Sequence, residues 1–180
     1  KKVSIIFCAR LLISKGINLF IDLADLFPNY DFHIYGLNDP ASSESLTENQ
    51  ISEYIKSRPN IKLNGFKSNP LLLHLEEPSI LVVPSIYGEG LPRAIPEAMS
   101  LGIPVIASTK ACSGLFENDV LFKIDDHKIK SYSNAIKEID SITERGEISD
   151  MLIRAKKYAS DNFTEKQIVD QTIDLYMNKE

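Results

Sequence analysis

The chain has 180 residues, 43% of them hydrophobic, and a net charge of −5 with no run of Lys and Arg. That length and apolar content suit one globular domain with its own core, and the charge argues against non-specific nucleic-acid binding. Cys8 and Cys112 show neither CxxC nor Cys/His spacing, against a disulfide framework or zinc site and in keeping with a reducing compartment; the apolar stretches are strand-sized, short of the ~18 residues a membrane span needs.

Lys1-Lys2-Val3 leads straight into a strand without an initiating Met, so the sequence reads as a piece of a longer protein. Val3 to Ala9 is an apolar run broken only by Ser4, as expected of a central parallel strand. Gly16 opens a helix striped by Ile17, Phe20, Ile21, Ala24 and Phe27, which Pro28-Asn29 ends. Tyr30 to Tyr35 is a strand stopped at Gly36, and Leu37 to Leu46 reads as a polar surface loop around Pro40. Thr47 and Gln50 form a capping box for a helix to about Ser57.

Asn60 to Asn64 is a short strand ending at Gly65, after which Asn69 caps a helix with Pro70 at its first position. Ile80 to Val83 and Ile103 to Ala107 are buried strands on either side of a glycine-bearing loop and a short helix. Pro96 lies inside that helix and sets its expected regular start, with Glu97 in the first turn. Val120 to Ile124 is the last strand. Helices follow from Asp126 to about Ile142, from Ser149 to about Ser160, and from Thr164, where Gln167 completes a second capping box. Strand and helix alternate and the chain finishes in helices. The pattern predicts a Rossmann-like, doubly wound parallel sheet with helices on both faces in one domain, 1–180.

In such a sheet, ligands bind beyond the carboxyl ends of the strands. Arg10 and Lys15 follow the first strand, Gly36 and Gly65 the second and third, and Glu89 and Gly90 the fourth, so these distant positions can converge on one crevice. A guanidinium and an ammonium beside the Gly16 turn suit a diphosphate. Taken alone, the same pair reads first as two basic residues that cap a strand-helix turn and bind surface acids, since basic surface residues are common. Glu89 and Glu97 are eight positions apart, or ~12 Å along a helix, too far to share a metal and beyond the ~5–9.5 Å of a glycosidase pair. As acceptors they suit hydroxyl groups on two parts of one extended ligand. The alternative is a solvent-facing Glu89 and an i,i+4 surface pair of Arg93 with Glu97.

GxGxxG after the first strand, GxxxxGK[ST], Asp-x-Asp and GxSxG do not occur. His33, His74 and His127 have no spacing relation and read as structural or solvated.

Arg10-Leu-x-x-x-Lys15-Gly16, Asn64-Gly65 and Glu89-Gly90-Leu-Pro-x-x-x-Pro-Glu97-Ala-Met-x-x-Gly102-x-Pro-Val resemble the donor-binding, C-terminal half of retaining GT-B glycosyltransferases of the family 4 type, with their E-x7-E signature. The resemblance covers nearly the whole chain in motif order. It implies that Arg10 and Lys15 neutralise the diphosphate of a nucleotide sugar, that Glu89 contacts the sugar hydroxyls and Glu97 the ribose hydroxyls. It also implies backbone N–H groups of Gly90 and Leu91 near phosphate and sugar, with Phe66 and Lys67 after Gly65 near the base. No metal or other cofactor is implied. Further implications are an acceptor domain outside this chain, a glycan or lipid-linked acceptor, and a cytoplasmic location at the inner membrane face through peripheral association of the full-length enzyme. Pro92 departs from the small residue common there, and Ser108 to Asp119 lacks the usual Gly-Gly. The isolated chain is expected to bind nucleotide weakly and transfer nothing. Other readings are a GT-B epimerase or hydrolase, which lacks this Glu-Gly-x-Pro…Glu-Ala-Met pattern, and a non-catalytic receiver-like module, which would carry acids where Arg10 and Lys15 stand.

Overall fold

The computed structural model describes residues 2–88, 90, 92–112 and 120–164. Six parallel strands form one sheet: β1 (Ser4–Cys8), β2 (Asp31–Tyr35), β3 (Ile61–Leu63), β4 (Ser79–Val83), β5 (Val105–Ser108) and β6 (Phe122–Ile124), in the order β3-β2-β1-β4-β5-β6. The chain winds outward from β1 in one direction and from β4 in the other. The switch point therefore falls between β1 and β4, where an open α/β sheet leaves a crevice at its carboxyl edge.

Strand alternation sorts the core into two layers. Ile5 and Phe7 of β1, Phe32 and Ile34 of β2, and Ile80 and Val82 of β4 face a layer covered by α1 (Ile17–Leu23), α2 (Glu48–Ile55) and α5 (Ile129–Glu144). Ile6, Tyr35, Leu81, Val83, Val105 and Ala107 face the other layer, under α3 (Ala94–Leu101), α4 (Thr109–Cys112) and α6 (Ile148–Asn162). Both faces are buried, which is why the strands read as nearly unbroken apolar runs. No helix among the described residues is long and apolar enough to cross a membrane.

Local departures from the expected elements have local causes. The first helix is α-helical only to Leu23 and tightens to a 3-10 turn over Ala24–Leu26. Pro28 disfavours the helical conformation at Phe27, whose ψ is 63°. The helix expected after Asn69 is a 3-10 helix, Pro70–His74, without a side-chain cap bond from Asn69. Residues three apart eclipse in that geometry, so Leu71 and His74 both turn inward and are buried. Both halves of the Thr47/Gln50 capping box form. α3 begins at Ala94, not Pro96. Pro96 is its third residue, where the missing N–H is one of the four that have no intrahelical acceptor. The helix from Thr164 lies outside the described residues, as do Glu89 and Leu91.

Candidate functional site

The turn after β1 and the segment after β4 are held together by backbone. Gly16 has φ 78°, and a Cβ there would lie 2.1 Å from the Pro84 carbonyl oxygen. Only a residue without a side chain permits this approach. Beside it the Ile86 N–H donates to the Ser14 carbonyl at 2.9 Å, and Ser108 Oγ donates to the Ser85 carbonyl at 2.6 Å. The start of the glycine loop is thus tied to the β1 turn on one side and to the end of β5 on the other. Gly36 makes a similar approach, since a Cβ there would meet the Ala9 carbonyl oxygen at 1.9 Å. The Gly36 N–H donates to the Gly65 carbonyl at 3.0 Å, aligning the ends of β1, β2 and β3.

These contacts bring several sequence-predicted residues to one edge. Arg10, Phe66 and Lys67 line a cavity of about 410 Å³ with Cys8, Tyr35 and Gly36. Phe66 is 65% exposed, an aromatic face offered to whatever enters. Lys15 ends a 3-10 turn, Ile13–Lys15, immediately before Gly16. Glu97 sits in the first turn of α3. Burial, and secondarily the nearby Glu97 charge, pushes the Cys8 thiol up to about 11. Glu97 itself lines a separate cavity, with Asn69, Leu71, Leu72, Ser100 and Leu101. Glu97 also pairs with Arg93 at 3.4 Å, a largely exposed contact worth at most about 1 kcal/mol. Gly90 is exposed, with open space where a side chain would project.

The polar loop 37–46 lies on the surface, as expected, and is fastened to the β1 turn. Leu11 N–H donates to the Leu37 carbonyl, Ile13 N–H to the Glu44 carbonyl and Leu46 N–H to the Leu11 carbonyl, at 3.0, 3.0 and 2.8 Å. This carries Asp39 to Arg10, with Oδ2 2.5 Å from Nη1. Asp39 in turn donates its N–H to Ser45 Oγ at 2.7 Å. The signal for Asp39 was available: in a doubly wound sheet an acid just past the second strand adjoins the end of the first.

Two of the three histidines, read above as unrelated, meet. His33 on β2 and His74 on the 3-10 helix have ring centroids 4.6 Å apart. Nε2 of His74 lies 2.8 Å from the Tyr35 hydroxyl and Nδ1 lies 2.6 Å from Oε1 of Glu77. Ser4 Oγ donates to the same carboxylate oxygen at 2.7 Å. Hydrogen bonds from His74 and Ser4 hold the Glu77 carboxyl below its ordinary range. Burial, then the charge of His74, pushes His33 down to about 4.

A sequence profile described as glycosyl transferases group 1 matches residues 1–157. No curated protein sequence matches the chain at a significant level. Among solved structures, the fold is similar to a glycosyltransferase from Rickettsia africae (TM-score 0.83, 17% identity, 100% of this chain and 49% of that one). It is similar also to sucrose-phosphate synthase from Thermosynechococcus elongatus (0.82, 20%, 98% and 45%). Anabaena HepE in complex with UDP gives 0.82 at 21% identity over 98% of this chain and 49% of that one, and HepE has also been solved with UDP-glucose. The chain spans about half the length of these structures.

Proposed function

The chain belongs to the group 1 glycosyl transferases, and from that premise we propose that it is the half of a retaining GT-B enzyme of the family 4 type that holds the sugar donor. The observation that carries this reading is the cavity at the carboxyl ends of β1, β2 and β3, beside the β1/β4 switch point. A cation, Arg10, and an exposed aromatic, Phe66, line it together, and a nucleoside diphosphate pairs an anion with a flat base. A nucleoside diphosphate in this crevice displaces Asp39 from Arg10 and gains the guanidinium, with Lys15 as a second point charge. Phe66 stacks on the base and Lys67 flanks it. Glu97 accepts from the ribose hydroxyls, while Glu89 and the N–H groups of Gly90 and Leu91 serve the sugar and phosphate.

Transfer breaks the bond between the anomeric carbon and the diphosphate oxygen and forms one to an acceptor oxygen on the same face, and the acceptor hydroxyl's proton passes to the departing diphosphate. Negative charge grows on the departing diphosphate. Arg10 and Lys15 stabilise it, each contact on the order of 4 kcal/mol at ~4 Å and an effective dielectric near 20, before desolvation. This assigns the barrier lowering to leaving-group stabilisation, with no metal and no protein nucleophile. The acceptor, a glycan or lipid-linked hydroxyl, is presented by an N-terminal acceptor domain outside this chain, with the whole enzyme cytoplasmic and peripheral at the inner membrane face. The 180 residues alone then bind nucleotide and transfer nothing.

Titrating the chain with UDP, GDP and ADP, and then with the 2′,3′-dideoxy form of whichever binds, tests the assignment. Wild type should favour the ribose form, and Glu97→Gln should remove most of that preference. A preference unchanged in Glu97→Gln contradicts the role of Glu97.

A further inference from the structure

We propose that His33, His74 and Glu77 form a binding site for one divalent transition-metal ion of the zinc class, separate from the Arg10 side chain and with a structural role. Two imidazoles and a carboxylate offer ligand atoms that all lie within 4.8 Å of one another. Tetrahedral zinc, with bonds of ~2.0–2.1 Å, spans such a set after a small side-chain adjustment. The three residues come from separate places, the middle of β2, the last residue of the 3-10 helix and the loop three residues beyond. The donor set favours zinc, cobalt or nickel over calcium and magnesium, which take oxygen ligands.

The surroundings match what orients metal ligands. The Tyr35 hydroxyl at His74 Nε2 and Ser4 Oγ at Glu77 are outer partners of two ligands, and the Asn64 side-chain amide, 3.4 Å from His33 Nδ1, turns its oxygen to that nitrogen when the ring binds through Nε2 and carries its proton on Nδ1. The proton that now joins His74 Nδ1 to Glu77 Oε1 lies where an ion would bind both atoms. On binding, the neutral imidazole keeps one proton by carrying it on Nε2, which then donates to the Tyr35 oxygen, and the Tyr35 hydroxyl rotates to suit. Two of the three ligands also border open space. His74 itself is buried, but it and Glu77 border a cavity of about 480 Å³ with Val3, Tyr30 and Ile139. The ion would pin the 3-10 helix to β2, next to Tyr35, whose ring also borders the crevice cavity. The proposal is independent of the donor-site reading.

The test uses the tag-free chain, stripped with chelator and titrated with Co(II) and Zn(II) by visible absorption and calorimetry. One ion should bind per chain and raise the melting temperature. His33→Ala and Glu77→Gln should each weaken binding at least ~10-fold, with His127→Ala unaffected. Imidazole NMR signals of His33 and His74 should shift together on adding Zn(II) to wild type, a readout that does not depend on any variant folding. Lack of saturable binding, equal binding in His33→Ala and Glu77→Gln, unshifted His33 and His74 signals, or a thiolate–cobalt charge-transfer band from Cys8 or Cys112 would each overturn the site.

Discussion

The two faces of the sheet are built from different materials. The face under α1, α2 and α5 is filled by large rings: Phe7, Phe20 and Phe32 meet in series, tilted and then edge-to-face, with centroids 5.4 Å apart, and Tyr132 is fully buried in the same layer. The face under α3, α4 and α6 is lined by small residues, Ala94, Ala98, Ala107, Ala111, Ala155 and Ala159, and carries the Tyr35–His74–Glu77 chain. Large rings exclude water and fix the strands. Alanines let α3 and α6 approach closely, and α3 brings Glu97 to the carboxyl edge. One face holds the sheet, and the other positions chemistry against it.

Cutting into the ring face should give the largest effect. Phe32→Ala removes a fully buried ring from β2 and should cost about 3–5 kcal/mol in denaturant unfolding. Nucleotide affinity of the folded protein should stay within about twofold of wild type, because the ring points away from the crevice. A parallel loss of affinity would mean the faces are not separable.

Gly16→Ala probes the seam between the turn and the loop. The new Cβ would meet the Pro84 carbonyl at a φ unfavourable for any side chain, so about 1–3 kcal/mol of stability should be lost along with nucleotide binding. Arg10→Ala should do the opposite. Its pair with Asp39 is exposed and worth at most about 1 kcal/mol, so melting should hardly change. Diphosphate affinity should fall roughly 10- to 100-fold, the loss of a charge-assisted bond worth about 1.5–3 kcal/mol. Phe66→Ala should cost about 1 kcal/mol of nucleotide binding and nothing in stability.

The smallest effect is the one acid brings to the polar chain in metal-free buffer. His33 faces His74, Lys62, Glu77 and Asp31, and its folded value is pushed down to about 4 from 6.5. Below pH 6.5 the unfolded chain takes up a proton that the folded chain refuses. Stability should therefore decline as pH falls from 6.5 towards 4, and then His33 contributes no further change. His33→Gln should flatten that part of a pH–melting profile; an unchanged profile would remove His33 as the cause.

The order of strands and helices was legible because each strand is a short apolar run and each helix has an apolar stripe or a cap, as at Thr47–Gln50. The crevice was legible because Arg10, Gly16, Gly65 and Phe66 each follow a strand at the edge where doubly wound sheets bind ligands. Asp39 was missed because polar loop composition says nothing of the backbone bonds that fold 37–46 onto Leu11 and Ile13. The His33–His74–Glu77 cluster was missed because its members are distant in sequence. Only the pairing of β1 with β2, with His33 beside Ile6, and the inward turn of the 3-10 helix bring them together. The start of α3 was not legible because Pro96 suits the third helical position as well as the first: no intrahelical acceptor waits for an N–H at either.

The most direct test of the donor-site account is a calorimetric titration of the 180-residue chain with UDP, GDP and ADP, repeated on Arg10→Ala and Lys15→Ala. The account predicts saturable one-to-one binding of a nucleoside diphosphate by wild type, and at least ~10-fold weaker binding in each variant, with the melting temperature of Arg10→Ala unchanged. A wild-type chain that binds none of the three, or variants that bind as tightly as wild type, would contradict it.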